Sequence, residues 1–157
     1  MNAAHLHLMT AHLPIVGIPF AAALLIAGLV GRSDTLWRTG CWAVLIAAAF
    51  AAVPYFSGPP AYELVKERYD VSSETVETHA IVARGTSLGL VLLGAITLSL
   101  LLRDWQGDPP GKSLKLPLLA AAVLAAYALA WTAHLGGLVR HPELSEPPLR
   151  VFPTIDV

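Results

Sequence analysis

Four long apolar segments, separated by polar or proline-rich stretches, dominate the chain. They cover about residues 13–30, 37–56, 80–102 and 116–139. A helix of roughly 20 apolar residues crosses a hydrocarbon core about 30 Å thick, so each segment is long enough to span a membrane. Because backbone polar groups in lipid must be satisfied within each segment, the pattern predicts an all-α integral membrane protein, a four-helix up-and-down bundle.

Composition supports this interpretation. Of 157 residues, 55% are hydrophobic and 13% are charged, and the mean hydropathy is +0.62, which is unlike a soluble domain. The net charge is −1 and the basic residues are scattered, so the lipid bilayer is the expected partner and nucleic acid is not. The single cysteine, Cys41, excludes an internal disulfide and a cysteine-based metal site, and we predict that it is buried in the core.

Prolines predict where two of the spans begin and end. Pro14 and Pro19 are expected in the entry turns of the first span, where a missing N–H costs little. The run Ser57-Gly58-Pro59-Pro60 is expected to end the second span, because two prolines cannot continue a helix.

The stretch between the second and third spans is the one sizeable connection. Its rhythm predicts a short surface helix over residues 60–69, and Ser72 or Ser73 is expected to cap the third span. Residues 1–141 then form a transmembrane domain. The proline-rich residues 142–157 form an extended tail, suited either to a strap across a partner or to a disordered terminus. No internal repeat in the sequence is strong enough to use.

All six histidines fall at one end of the predicted bundle. The starts of spans one and three and the ends of spans two and four share that end, because the helices alternate in direction. The first twelve residues contain no Lys or Arg and therefore translocate easily. We expect both termini and the histidine face on the periplasmic side of a bacterial inner (cytoplasmic) membrane.

Convergent histidines at one end of a bundle indicate a ligand site. The candidates are His7, His12, His79, His134 and His141. A b-type haem is held by two axial imidazoles from facing helices with a flat slot between them. The alternative for each histidine is a polar anchor at the membrane interface.

Small residues and one arginine favour the haem interpretation. The glycines, which allow close approach of a macrocycle or of another helix, are Gly85, Gly89, Gly136 and Gly137. Arg84 is costly inside a membrane unless it is paired, and a haem propionate is a suitable anion. Pairing with Glu77 or snorkelling to the surface remains open for Arg84, as does simple helix packing for the glycines.

A copper site is the second possibility. The run from His5 through His7 and Met9 to His12 mixes imidazole with a thioether, a ligand set that suits copper. Alternate residues diverge on a helix, however, so His5 and His7 could share an ion only if this segment were extended. Zinc is disfavoured because no HExxH pattern accompanies the histidines.

Short motifs in three of the spans resemble those of a known family. They are the His7-x-x-x-x-His12-x-Pro14 opening, Thr78-His79-Ala80, and the closing Leu135-Gly136-Gly137-Leu138-Val139-Arg140-His141. They resemble a small four-helix bacterial family of predicted membrane proteins, marked by a His-Pro-x-x-x-His-Phe-Pro opening and a Gly-Gly-x-Leu-Val-x-x-His ending. The similarity covers most of residues 7–141.

This resemblance implies b-type haem, with His7, His12, His79 and His141 as the histidine set. Four histidines suffice for two haems. The chain departs from the family pattern at Leu8, Leu13 and Pro142, and His134 is additional, so the ligand pairing and the choice between one haem and two stay open.

We therefore expect a cytochrome b-like electron-transfer subunit rather than a stand-alone enzyme. For two haems the depths of the histidines favour pairing His12 with His79 and His7 with His141, with His134 as a substitute on span four. The expected partners are other subunits of a membrane redox complex, a periplasmic electron carrier or a quinone. A cofactor-free structural subunit and a small oxidoreductase acting at an exposed haem edge are the alternatives.

Overall fold

A computed structural model describes residues 2–66, 72–141 and 143 of the chain. Within this part the elements are helices: α1 (Ala3–Val30), α2 (Asp34–Phe50), α3 (Ala52–Val65), α4 (Ser73–Trp105) and α5 (Lys112–Arg140). Four stretches are long and apolar enough to cross a membrane, since α2 and α3 together form one of them. The predicted all-α membrane bundle is confirmed, with helices that extend beyond the predicted spans.

The helices form a square bundle in which neighbours run antiparallel. Helix α1 packs against α2, α3 and α5, and α4 packs against α2, α3 and α5. Helices α1 and α4 therefore occupy one diagonal of the square. The core between the helices includes Cys41, which is 1% exposed, as predicted for a small core residue.

The second span breaks at Ala51 and not at the predicted run 57–60. Pro54 has no N–H to donate to the carbonyl of Phe50, so the helix ends there and a new one begins at Ala52, with Pro54 in its first turn. Helix α3 then continues through Pro59 and Pro60, contrary to our expectation. The carbonyls that these prolines leave without a donor belong to exposed residues near the end of the span, where water can replace the missing donor.

Two further sequence predictions need correction. Pro14 and Pro19 lie inside α1 and not in its entry turns, because the helix already begins at Ala3. Residues 60–65 continue the second span and do not form a separate surface helix. The remainder of that predicted helix falls partly outside the described residues, as does the predicted tail apart from Glu143.

Helix ends are capped as the sequence indicates. Ser72 caps α4, with its side chain accepting from the backbone N–H of Thr75 at 3.4 Å, and Glu74 lies in the first turn. Ser33 caps α2 in the same way. The connection from α1 to α2 is therefore only residues 31–33, which holds these helices close together.

The structure reveals an internal repeat that we had not found in the sequence. The buried residues of α4 each follow a buried residue of α1 by 72 positions: Leu90, Leu93, Gly94, Thr97 and Leu100 follow Ile18, Ala21, Ala22, Leu25 and Gly28. The buried residues of α5, Leu118, Ala122, Leu129 and Leu135, follow the buried Gly40, Val44, Ala51 and Ser57 by 78 positions. The bundle therefore consists of two helical hairpins, α1–α3 and α4–α5, with one shared burial register. The first helices of the two hairpins run in the same direction, as in a parallel repeat about an axis along the membrane normal.

Contacts at the end of the bundle away from the histidines join the two hairpins. Arg38 of α2 forms a two-pronged ion pair with Asp104 of α4, at 2.5 and 3.0 Å. Lys115 of α5 reaches Asp34 at 3.1 Å and lies 5.1 Å from the centroid of the Trp37 ring. Trp37 and Lys115 are equivalent positions, 78 apart, so equivalent residues of the second helices meet at this end.

Candidate histidine site

His7 is held in place by α3, which belongs to the same hairpin. Its Nδ1 lies 2.9 Å from the carbonyl oxygen of Pro54 and 3.4 Å from the hydroxyl of Ser57. Because that hydroxyl donates to the carbonyl of Val53, both oxygens accept from Nδ1–H. A Cβ added to Gly58 would lie 3.4 Å from the His7 ring, so the ring packs directly against this glycine.

His79 is held in the same way by the second hairpin. Its Nδ1 donates to the carbonyl oxygen of Thr132 at 3.1 Å. The ring packs against Gly136, where an added Cβ would come within 3.1 Å of the ring carbon Cε1. The hydroxyl of Thr132 donates to the carbonyl of Ala128 and accepts from Thr86, at 2.8 and 3.0 Å. His79 lies seven residues into α4, which begins at Ser73.

The two histidines are equivalent positions of the repeat. His7 and His79 are 72 positions apart, and their carbonyl partners Pro54 and Thr132, like the glycines beneath the rings, are 78 apart. Since α1 and α4 lie on one diagonal, both histidines are on helices that face each other across the bundle.

The hydrogen bonds fix the tautomer of both rings. A carbonyl oxygen can only accept, so Nδ1 carries a proton, and in the neutral ring the lone pair is on Nε2. Within the described residues, Nε2 of His7 and Nε2 of His79 have no hydrogen-bond partner. A histidine whose Nδ1–H donates to a backbone carbonyl, with Nε2 free, is the usual arrangement of a metal-binding imidazole.

Polar residues mark two levels that are one hydrocarbon thickness apart. Arg84 and Arg103 of α4 are 19 positions apart, as are Lys115 and His134 of α5, and this is about 29 Å along a helix. A hydrocarbon core is about 30 Å thick. His79 lies five positions beyond Arg84, about 7.5 Å further out. The site is therefore at the level of the lipid head groups.

The other predicted histidines lie on the surface. His12 is exposed, and its Nδ1 donates to the carbonyl of Leu8 on its own helix at 2.6 Å. His134 is exposed and stacks on Trp131, with 5.4 Å between ring centroids. The pairs that we predicted, His12 with His79 and His7 with His141, make no hydrogen bond or ring contact with each other in the described structure.

His141 forms the C-terminal cap of α5 and pairs with an acid. Its Nδ1 lies 2.9 Å from the carboxylate of Glu143. The pKa of Glu143 is lowered, first by a hydrogen bond from its own backbone N–H and then by the bond from His141. His141 thus has a local partner outside the bundle and does not continue the helical face of His134.

Arg84 and the predicted glycines are not gathered around one centre. Arg84 is exposed and, in the part of the chain that the structure describes, has no ion pair, including none with Glu77. A Cβ added to Gly85, Gly89 or Gly137 would meet nothing within 4 Å, so these positions border open space. Gly136 contacts His79 directly.

The donor set is one of paired imidazoles. Among the described residues there is no group of three or more His, Cys, Asp or Glu side chains able to hold a metal ion. Two imidazoles on helices of one diagonal could hold the metal of a cofactor whose own ring supplies the remaining ligands. The arrangement is therefore chemically suited to haem.

Sequence reasoning selected both histidines but missed the groups that orient them. Carbonyl acceptors carry no residue-type signal, since every residue has one, and Pro54 and Thr132 have no motif in common. Aligning His7 with His79 at an offset of 72 would have superposed the buried faces of α1 and α4 and exposed the repeat. The offset is 72 residues between α1 and α4 but 78 residues between the second span (α2 and α3) and α5. This difference of six residues obscures the repeat in the sequence.

Comparison with protein families assigns the chain to a family of membrane proteins. Residues 3–141 match the family described as "Predicted membrane protein (DUF2231)", and the chain belongs to this family. The match covers the entire helical bundle and ends at His141. No curated protein and no solved structure matches the chain.

Proposed function

We propose that this protein is a membrane cytochrome that binds haem b between His7 and His79. The observation that carries the proposal is the equivalence of these two residues: each is on one of the two diagonal helices, and each has Nδ1 bound to a backbone carbonyl and Nε2 free. This replaces the pairing that we expected from the sequence, and it favours one haem per chain.

The residues fit haem better than they fit a bare metal ion. Nδ1 bonds to Pro54 and Thr132 orient the rings and raise the basicity of Nε2, which strengthens axial ligation. When bound, haem would supply one-electron iron chemistry, and the chain would supply the ligands and their orientation.

The proposed role is electron transfer at the outer surface of a bacterial inner membrane. His7 and His79 lie at head-group level, within reach of a quinone head group or a soluble electron carrier. All histidines lie at one end, so the chain by itself offers no series of haems across the bilayer. We therefore propose exchange with a periplasmic carrier, a quinone or another subunit.

The test is a dithionite-reduced minus oxidised absorption spectrum of the purified protein, with haem per chain measured by pyridine haemochrome. We expect a b-type spectrum and about one haem per chain, as two axial imidazoles require. His7→Ala and His79→Ala should each lose the haem. The matched controls are His134→Ala and His141→Ala, which lie at the same end but on the surface and should keep it.

Three outcomes would contradict the proposal. A folded protein that stays colourless after expression with added haem precursor would favour a cofactor-free structural subunit. Full haem content in both His7→Ala and His79→Ala would show that other residues are the ligands. Loss of haem in His12→Ala and His141→Ala, with retention in His7→Ala, would restore the predicted involvement of the surface histidines.

A further inference from the structure

A second set of metal-binding side chains lies on the outward face of α1. His5, Met9 and His12 follow one another at intervals of four and three residues, so they share one face of the helix. All three are exposed, and Met9 is 58% exposed. His7 points to the other side, where it bonds to Pro54. Because the chain is helical from Ala3, His7 faces the bundle, and the other three side chains face outward.

The chemistry of these three side chains selects copper. A thioether with imidazoles is a soft ligand set that suits Cu(I), whereas hard cations prefer oxygen. Residues three and four apart on a helix have Cβ atoms about 5–6 Å apart, so their longer side chains can converge on one ion. The Nδ1 of His12 donates to the carbonyl of Leu8, which leaves Nε2 for a metal.

We propose that His5, Met9 and His12 form a Cu(I)-binding site on the outer surface of α1. The site lies where the helix leaves the hydrocarbon zone. Arg32, just past the end of α1, is 20 positions from His12, which is about 30 Å along a helix and about one hydrocarbon thickness. It is independent of the proposed haem site, because it uses the opposite face of the helix. The proposal concerns binding of the ion and includes no redox step.

The test is an anaerobic titration of the full-length purified protein with Cu(I) in competition with bicinchoninate. The wild-type protein should bind one Cu(I) per chain. Met9→Leu, His5→Gln and His12→Gln should each weaken binding by more than about tenfold, since losing even an outer partner of a metal ligand typically costs about 10- to 100-fold. X-ray absorption should detect a sulfur ligand in the wild type and none in Met9→Leu.

Three matched variants make the test specific. His7→Gln should keep the copper affinity, because His7 faces the bundle. The double variant Leu8→Met, Met9→Leu retains one thioether but moves it about 100° around the helix, and should not restore binding. His5→Gln and Met9→Leu should leave the haem spectrum unchanged, which separates this proposal from the haem proposal.

The proposal fails if the wild-type chain does not compete with bicinchoninate for Cu(I). It also fails if Met9→Leu binds with unchanged affinity, or if the sulfur signal persists in that variant, because the sulfur ligand would then be another residue. Circular dichroism of each variant checks that α1 remains helical. A loss of copper without loss of helix therefore reports on the ligands themselves.

Discussion

The two hairpins of the bundle bury the same positions but stabilise them by different means. In the first hairpin prolines occupy positions 14 and 54, where α1 and α3 lie near the histidine site. The equivalent positions of the second hairpin are Thr86 and Thr132, whose hydroxyls bond to each other at 3.0 Å. A shared pattern of buried positions and of histidine-orienting carbonyls thus fixes the bundle, while the residue types beside each histidine differ between the halves.

Packing within each hairpin differs as well. In the first, a Cβ added to Gly28 would lie only 2.6 Å from the backbone nitrogen of Trp37, so α1 and α2 approach to backbone contact. The equivalent of Gly28 in the second hairpin is Leu100. Gly89, by contrast, faces open space. The first hairpin is therefore closely packed at Gly28, whereas Gly85 and Gly89 lie on the surface of the second hairpin.

The largest expected effect is a difference between two glycine substitutions. Gly28→Ala forces the backbones of α1 and α2 apart, and overpacking of this kind costs about 3 kcal/mol. Gly89→Ala meets no neighbour and should change the unfolding free energy by at most about 1 kcal/mol. Unfolding in mixed detergent micelles with increasing SDS, followed by circular dichroism, measures both. Equal losses would show that α1 and α2 are not in close backbone contact at Gly28.

A second pair of glycines compares the two histidine positions. Gly136→Ala would press on the His79 ring at 3.1 Å, whereas Gly58→Ala would meet the His7 ring at an ordinary 3.4 Å. A side chain pushed off its preferred rotamer costs about 1 kcal/mol. We therefore expect Gly136→Ala to weaken haem binding by up to about tenfold and Gly58→Ala to have little effect, as measured by haem titration. The reverse order would mean that His7 is the more constrained ligand.

The ion pair between the hairpins should contribute less. Asp104 has a side chain that is 12% exposed and accepts two hydrogen bonds from Arg38, so Asp104→Asn is expected to cost about 1 kcal/mol, the upper end for pairs near the surface. The matched control is Asp108→Asn, since the pair of Asp108 with Arg103 lies within one hairpin and is more exposed. Its loss should be near zero. Comparable losses of unfolding free energy in the two variants would show that the ion pair between the hairpins adds no more stability than one within a hairpin.

The fold could be predicted from the sequence because its dominant signal is hydrophobicity over whole segments. Lipid requires internally bonded helices, so the four spans and their alternation follow from length and composition. Helix ends near prolines could not be predicted in the same way. Pro54 breaks the second span while Pro59 and Pro60 do not, and the difference depends on whether neighbouring carbonyls can find other donors.

The candidate site could be predicted only in part. Clustering of histidines at one end follows from the topology, but helix rotation decides which of them face inward. His7 faces the bundle and His12 does not because the burial register of α1 is set by Ile18, Ala21 and Leu25 further along the helix. The orienting carbonyls of Pro54 and Thr132 leave no sequence signal. The repeat supplies this information, because both halves orient an equivalent histidine in the same way.

The smallest expected effect concerns the threonine pair that distinguishes the second hairpin. Since the Thr132 hydroxyl donates to the carbonyl of Ala128, Thr86 is the donor in the Thr86–Thr132 bond. Hydrogen bonds between membrane helices average about 0.6 kcal/mol, so Thr86→Val should cost about that much. A double-mutant cycle with Thr132→Val isolates the pair, with unfolding in SDS as the measurement. A coupling energy indistinguishable from zero would mean that the threonines, like the prolines at the equivalent positions of the first hairpin, contribute only through packing, and that His79 is oriented by the Thr132 carbonyl alone.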